Sequence, residues 1–173
     1  MKENNNIQII NAATQKELDE VRRLIREFLR WHLQRHLEDT ELINEYFDEK
    51  AFEEELTTLP GKYAGPDGSL LLALHNNETA GCVALKQIDK KSCEMKRMFV
   101  YPEFHGKGIG YALAKAIIDE AKRIGYKFMK LDTSLRQVEA QKLYESFGFK
   151  KIQPYYELPV RQKKWLVFME LEL

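Results

Sequence analysis

The sequence predicts an α/β chain of the α+β type, and three observations predict it. Short apolar runs with strand character mix along the chain with stretches of helical periodicity. Gly, Pro and Asn clusters punctuate these runs at close intervals. A glycine-rich hexapeptide, His105-Gly106-Lys107-Gly108-Ile109-Gly110, stands between a strand-like run and a helix-like one. The length, 173 residues, fits one domain over 1–173 with a substantial core.

Ile7 to Ile10 reads as a short strand. Thr14 and Glu17 have the spacing of a capping box. Leu18, Val21, Leu24, Ile25, Phe28 and Leu29 then recur at helical spacing to about Leu37, and one acidic helical stretch covers roughly Leu42 to Leu56. Pro60-Gly61 and Gly65-Pro66-Asp67-Gly68 mark a loop and a turn. Leu70 to His75 and Ala80 to Ile88 form a hairpin across Asn76-Asn77, and Cys93 to Val100 is the next strand. Ile109, Leu113, Ile117 and Ile124 line one face of a helix that Gly125 ends. Phe128 to Thr133 is a strand, Val138 to Phe147 a helix closed by Gly148, and Phe149 to Gln153 and Trp165 to Leu173 are the last strands.

Hydrophobic residues make up 44% and charged residues 31%, the balance of an ordinary soluble domain. No apolar run approaches the ~20 residues of a bilayer span. Met1 to Asn6 lacks the apolar core of a signal peptide, so a cytoplasmic protein without membrane partners is expected. Cys82 and Cys93 fall in strand-like runs and read as reduced, buried thiols. Net charge is zero but unevenly spread. Residues 1–91 carry 12 Lys/Arg against 17 Asp/Glu, and residues 92–173 carry 15 against 10. A basic second half suits a polyphosphate ligand. No basic stripe is dense enough for nucleic acid.

The hexapeptide at 105–110 is the strongest chemical signal. The first N–H groups of a helix have no intrahelical acceptor, and the helix dipole adds positive potential there. Glycines bring that backbone close to an anion, so the loop reads as a phosphate site. A Walker loop needs Ser or Thr after the lysine, where Gly108 stands. A dinucleotide fingerprint needs a small residue where Tyr111 stands, and it leaves its strand directly, whereas Tyr101-Pro102-Glu103-Phe104 intervene here. Asp132, near the end of the next strand, is the one residue in favour of the dinucleotide reading.

Four stretches resemble the GNAT superfamily of acyl-CoA-dependent N-acetyltransferases, the last of them the closing Phe168 to Leu173, which is similar to the final strand of many members. Glu94 to Pro102 is similar to that family's fourth strand and its exit. His105 to Gly110 resembles its pyrophosphate loop, Arg/Gln-x-x-Gly-x-Gly/Ala, with His in place of the first residue. Ala140-Gln141-Lys142-Leu143-Tyr144-Glu145-Ser146-Phe147-Gly148-Phe149 resembles its late helix and turn. The resemblance implies a mixed, mainly antiparallel sheet of about seven strands flanked by about four helices. It implies acetyl-CoA as cosubstrate and a primary amine as acceptor. It places the cosubstrate on His105, Gly106, Lys107, Gly108, Ile109 and Gly110, and on Met98, Phe99 and Val100, where the fourth and fifth strands splay and a backbone N–H near Phe99 or Val100 meets the acyl oxygen. A neutral His105 still offers one donor.

Acyl transfer from a thioester to an amine needs a base for the ammonium, a donor for the oxyanion and an acid for the leaving thiolate. By resemblance Tyr144 is the acid, near the sulfur; by spacing alone it also fits the apolar face of Ala140, Leu143 and Phe147. By resemblance Glu94 is the base, directly or through water; otherwise it is a strand charge paired with Lys96 or Arg97. No metal is expected. His32 and His36 sit four apart on a helix, but no third ligand has suitable spacing.

Glu38, Asp39, Glu41, Glu45, Asp48, Glu49, Glu53, Glu54 and Glu55 cluster around a single Lys50. They form either a solvated helix face or a negative patch that draws a small cationic amine to the acceptor site. Trp31, Tyr46, Phe47, Tyr155 and Tyr156 either line that site or pack in the core. A non-catalytic acyl-CoA sensor on the same fold is the competing function, and a homodimer is left open.

Overall fold

The computed structural model describes residues 6–173. The stretch read above for a signal peptide lies outside the described residues over 1–5. The elements run β1 (Ile7–Asn11), α1 (Gln15–Arg35), α2 (Thr40–Tyr46), α3 (Glu49–Thr57), β2 (Ser69–His75), β3 (Glu78–Gln87), β4 (Ser92–Val100), α4 (Ile109–Ile124), β5 (Phe128–Ser134), α5 (Val138–Ser146), β6 (Lys150–Ile152), α6 (Val160–Trp165) and β7 (Leu166–Glu172). They build one seven-stranded sheet in the order β1-β2-β3-β4-β5-β7-β6, antiparallel except between β4 and β5. This is the expected mixed, mainly antiparallel sheet, flanked by six helices where about four were expected.

Local chemistry explains most of the boundaries. Thr14 and Glu17 complete the capping box of α1, each satisfying an amide near the other's backbone. Leu18, Val21, Leu24 and Ile25 then bury one stripe of α1 against the sheet. Each such side chain contributes roughly 1.5–3 kcal/mol on leaving water. Asn76 and Asn77 both take positive φ, which a two-residue hairpin turn requires.

Two differences from the sequence reading concern helices. The acidic stretch is two helices, not one. It breaks at Phe47-Asp48, where Phe47 is buried and the Asp48 carboxylate accepts the Ala51 N–H at 2.9 Å to cap α3. The second difference is α6, which has no apolar period of its own. Tertiary bonds hold it: Gln162 donates to the Leu42 carbonyl, and the Trp165 indole donates to Asp39 at 3.0 Å. Trp165 therefore ends a helix and β7 begins one residue later.

Helices α1–α3 pack on one face of the sheet and α4 with α5 on the other. Cys82 and Cys93 are free and buried, and burial pushes both thiols up to about 12. Among the described residues no helix is long and apolar enough to cross a membrane.

The decisive irregularity is at the centre. β4 pairs β5 only from Ser92 to Glu94, against Phe128 to Lys130. Beyond that point the two strands part and leave both edges open. A bulge in β4 deepens the break, because the β3–β4 register jumps between Cys82 and Ala84, opposite Arg97 and Met98. Arg97 sits at φ 55°, an unusual conformation for a residue with a side chain.

Candidate active site

Along β4 lie three chambers that share wall residues. The first, about 400 Å³, is lined by Met98, Phe99, Val100, His105, Gly106, Gly108, Ile109, Gly110 and Leu143. Nearly every residue expected to hold the cosubstrate is gathered here. Gly106 and Gly108 take φ of 77° and 84°, values natural to glycine. A Cβ on Gly106 would meet nothing within 4 Å, so the loop's outer surface is open. Gly108 is the N-cap of α4, and the Ala112 N–H bonds the Gly108 carbonyl at 3.0 Å. The amides before Ala112 in that first turn have no intrahelical acceptor and are left for an anion.

His105 lines the chamber and is bonded back to the chain before it. Its backbone N–H bonds the Pro102 carbonyl, and its Nε2 bonds the Val100 carbonyl at 2.9 Å. The ring thus braces the loop against the end of β4. Lys107 does not line the chamber; its ammonium lies 5.2 Å from the centre of the Phe104 ring. Tyr111, the residue that breaks the dinucleotide fingerprint, stacks on Phe147, the C-cap of α5, at 4.7 Å.

The second chamber, about 110 Å³, lies where β4 and β5 diverge, and it shares Met98, Ala140 and Leu143 with the first. Tyr144 and Asp132 line it. Tyr144 is buried, packs against Phe149, and also lines the chamber. Burial pushes its phenol above the ordinary tyrosine value, and the charge of Asp132 adds to the effect.

The third chamber, about 680 Å³, shares Tyr46, Lys96 and Arg97 with the second and opens between β3, β4 and the α2–α3 segment. Glu94 lies on its wall, only 3% exposed. Tyr155 donates to its Oε1 at 2.7 Å, Lys86 lies 3.1 Å from Oε2, and Lys96 lies 3.6 Å from Oε1. Burial raises this carboxyl, but the two lysines and the Tyr155 hydroxyl outweigh it and hold it below the ordinary carboxylate value. Tyr46, Phe47, Tyr155 and Tyr156 line this chamber, whereas Trp31 lines the first.

The acidic stretch is largely spent on ion pairs. Glu38 and Asp39 face Arg136, Glu41 and Glu45 face Arg161, and Glu53 faces Arg26. Glu55 turns inward and takes both Arg97 Nε and Nη2, at 2.7 and 3.0 Å, together with Lys62. Burial raises the Glu55 carboxyl, but Arg97 and Lys62 bring it down to about 2. Sequence spacing carries no sign of this pair, because the bulge in β4 is what aims Arg97 at α3. Nor does it carry a sign of the bonds from Tyr46 and Tyr156 to Asp132.

His32 and His36 pack ring to ring at 5.3 Å. Burial brings the His32 imidazole down to about 4, with the nearby His36 adding to it. Among the described residues no group of three or more His, Cys, Asp or Glu side chains is placed to hold a metal ion.

A sequence profile of the acetyltransferase (GNAT) family matches residues 21–149. An uncharacterised N-acetyltransferase of Schizosaccharomyces pombe is 35% identical over 97% of this chain and 96% of its own length. The N-acetylaspartate synthetase of Danio rerio is 33% identical over 59% of this chain, but that match spans only 37% of the synthetase. The PaiA N-acetyltransferase of Thermoplasma acidophilum, solved with coenzyme A, superposes with a TM-score of 0.70 at 19% identity, covering 97% of this chain and 99% of that one.

Proposed function

The chain belongs to the GNAT family of acyl-CoA-dependent N-acetyltransferases, and on that premise we propose how its cleft moves an acetyl group from acetyl-CoA to a primary amine. The observation that carries the reading is the row of three adjoining chambers with shared walls, from the glycine loop past Tyr144 to Glu94. The pyrophosphate lies on the amides that follow His105. The thioester lies along the open edge of β4 from Met98 to Val100, with its sulfur toward Tyr144.

The acceptor ammonium first gives one proton to solvent water, and the neutral amine nitrogen then bonds the thioester carbon while a free amide of β4 holds the oxyanion. The C–S bond then breaks and the thiolate takes the Tyr144 proton. Once bonded to carbon, the nitrogen is far more acidic than a free ammonium, and its proton passes to Glu94 through water from the neighbouring chamber. Exchange with solvent returns both residues to their starting states. Glu94 is ionised at neutral pH because the lysines and Tyr155 favour its charged form.

The acceptor is a small molecule that carries a carboxylate beside its amine. Lys86 and Lys96 share one carboxylate, Glu94, and Arg97 and Lys62 share one, Glu55, so each group has a cation in excess. The relation to N-acetylaspartate synthetases agrees with an amino-acid acceptor. The test measures thiol release from acetyl-CoA with L-aspartate, L-glutamate, L-lysine and putrescine. Turnover should favour the first two, and Glu94→Gln should lower kcat at least tenfold. Coenzyme A binding with no turnover on any amine would instead make the protein an acyl-CoA sensor.

A further inference from the structure

The carboxylates of the cleft differ in what balances them. Glu94 and Glu55 each face two cations. Glu45 faces Arg161, and Asp48 is spent on the cap of α3. Asp132 has none: among the described residues no cationic nitrogen reaches it within ion-pairing distance. Its partners are two phenols. Tyr46 donates to Oδ1 at 2.5 Å, and Tyr156 donates to Oδ2 at 2.6 Å. Lys96 stops one residue short, donating to the Tyr46 oxygen at 3.4 Å.

Phenols fix a carboxylate in place without cancelling its charge. Burial and the Asp132 charge push both tyrosines up, so they remain neutral donors. Asp132 stands two residues past the last β4–β5 pair, on the edge exposed by the splay, in the chamber it shares with Tyr144. An oriented but unneutralised carboxylate in a confined chamber attracts a cation strongly, because little water screens it. Lys96 and Arg97 also line this chamber, but Lys96 is paired with Glu94 and Arg97 with Glu55, and neither is bonded to Asp132.

We propose that Asp132, oriented by Tyr46 and Tyr156, is the ammonium subsite of the acceptor. It receives the substrate amine in its protonated form and holds the nitrogen in the chamber beside Tyr144. The cationic end of the substrate is then selected at one half-buried residue, not by the acids of 38–55. The proposal rests on the acetyl-transfer reading for its substrate, but it is tested by binding.

Calorimetry on the protein saturated with coenzyme A, with L-aspartate, L-glutamate, L-lysine and putrescine as probes, is the first measurement. Asp132→Asn should weaken the amine that binds best at least tenfold and leave coenzyme A affinity within twofold. In turnover the loss should appear in KM for the amine, with KM for acetyl-CoA held. Tyr46→Phe and Tyr156→Phe keep the charge and remove one orienting donor each, so they should raise KM for the amine two- to tenfold. They also keep the test open should Asp132→Asn fail to fold. Binding without turnover in the wild type would sink the transfer reading and leave the subsite standing. Equal binding by wild type and Asp132→Asn, binding by neither, or an unmoved KM in both Phe variants overturns the subsite.

Discussion

A phenol can protonate a leaving thiolate only while it still holds its proton, and the surroundings of Tyr144 keep it there. Burial first, and the Asp132 charge second, disfavour the phenolate. Tyr144→Phe retains the ring that packs on Phe149 and removes only the hydroxyl. It should lower kcat by roughly ten- to a thousandfold with coenzyme A affinity unchanged, as read by steady-state kinetics beside calorimetry. Glu55 carries the opposite kind of shift. Its carboxyl is held at about 2, below an ordinary value of 4.5. A depressed carboxyl contributes stability above its unfolded value and loses it as pH falls through the folded one. The Glu55–Arg97 pair should therefore lose roughly 3 kcal/mol between about pH 4.5 and pH 2. Glu55→Gln strands a buried guanidinium and should cost roughly 3–5 kcal/mol at pH 7. Urea melts of both proteins at pH 7 and pH 3 check this, and a variant as stable as the parent at pH 7 would refute it. Tyr144 was legible in the sequence because its motif is local. Glu55 with Arg97 was not, since the pair spans 42 positions and depends on one backbone angle.

At the scale of elements, the glycine loop was the most readable part of the molecule. Its meaning lies in six consecutive residues, and no distant contact is needed to open it. Gly108 shows what that openness permits. A Cβ there would meet only the Ile7 Cδ1, at 4.0 Å, so a side chain fits. The left-handed backbone costs a non-glycine residue about 1–2 kcal/mol, and aspartate tolerates it better than most. Gly108→Asp should therefore fold, with a carboxylate set against the phosphates. Coenzyme A binding should weaken at least a hundredfold with a cooperative thermal transition retained, and unchanged affinity would move the pyrophosphate elsewhere. The helices were less legible. The break between α2 and α3 follows from burying Phe47, and α6 from bonds to Leu42 and Asp39 more than a hundred residues away. Periodicity within a window cannot register either cause.

For the whole molecule, the splay divides the sheet into β1–β4 and β5–β7–β6, joined at only three register positions. Strand composition predicted a sheet, but nothing in β4 or β5 alone says that they part after Glu94. That separation needs the bulge at Arg97 and Met98 and the pull of Arg97 toward α3. It leaves the β4 edge without a partner strand, in the chamber beside the glycine loop. If the cosubstrate lies along that edge, it acts as a missing strand and closes the seam between the halves. A ligand at a hundredfold excess over its Kd adds about 2.7 kcal/mol, which for a chain of this size raises Tm by about 5–10 °C. The gain should be localised. On adding coenzyme A, hydrogen exchange should slow in the loop over 105–110 and also along β4 from Met95 to Val100, with little change in β1 or β6. Slowing confined to the loop would show that the phosphates bind while the open edge of β4 does not hold the rest of the cosubstrate. The thioester would then lie outside the chamber of Tyr144, and the order of events drawn from the cleft would fail with it.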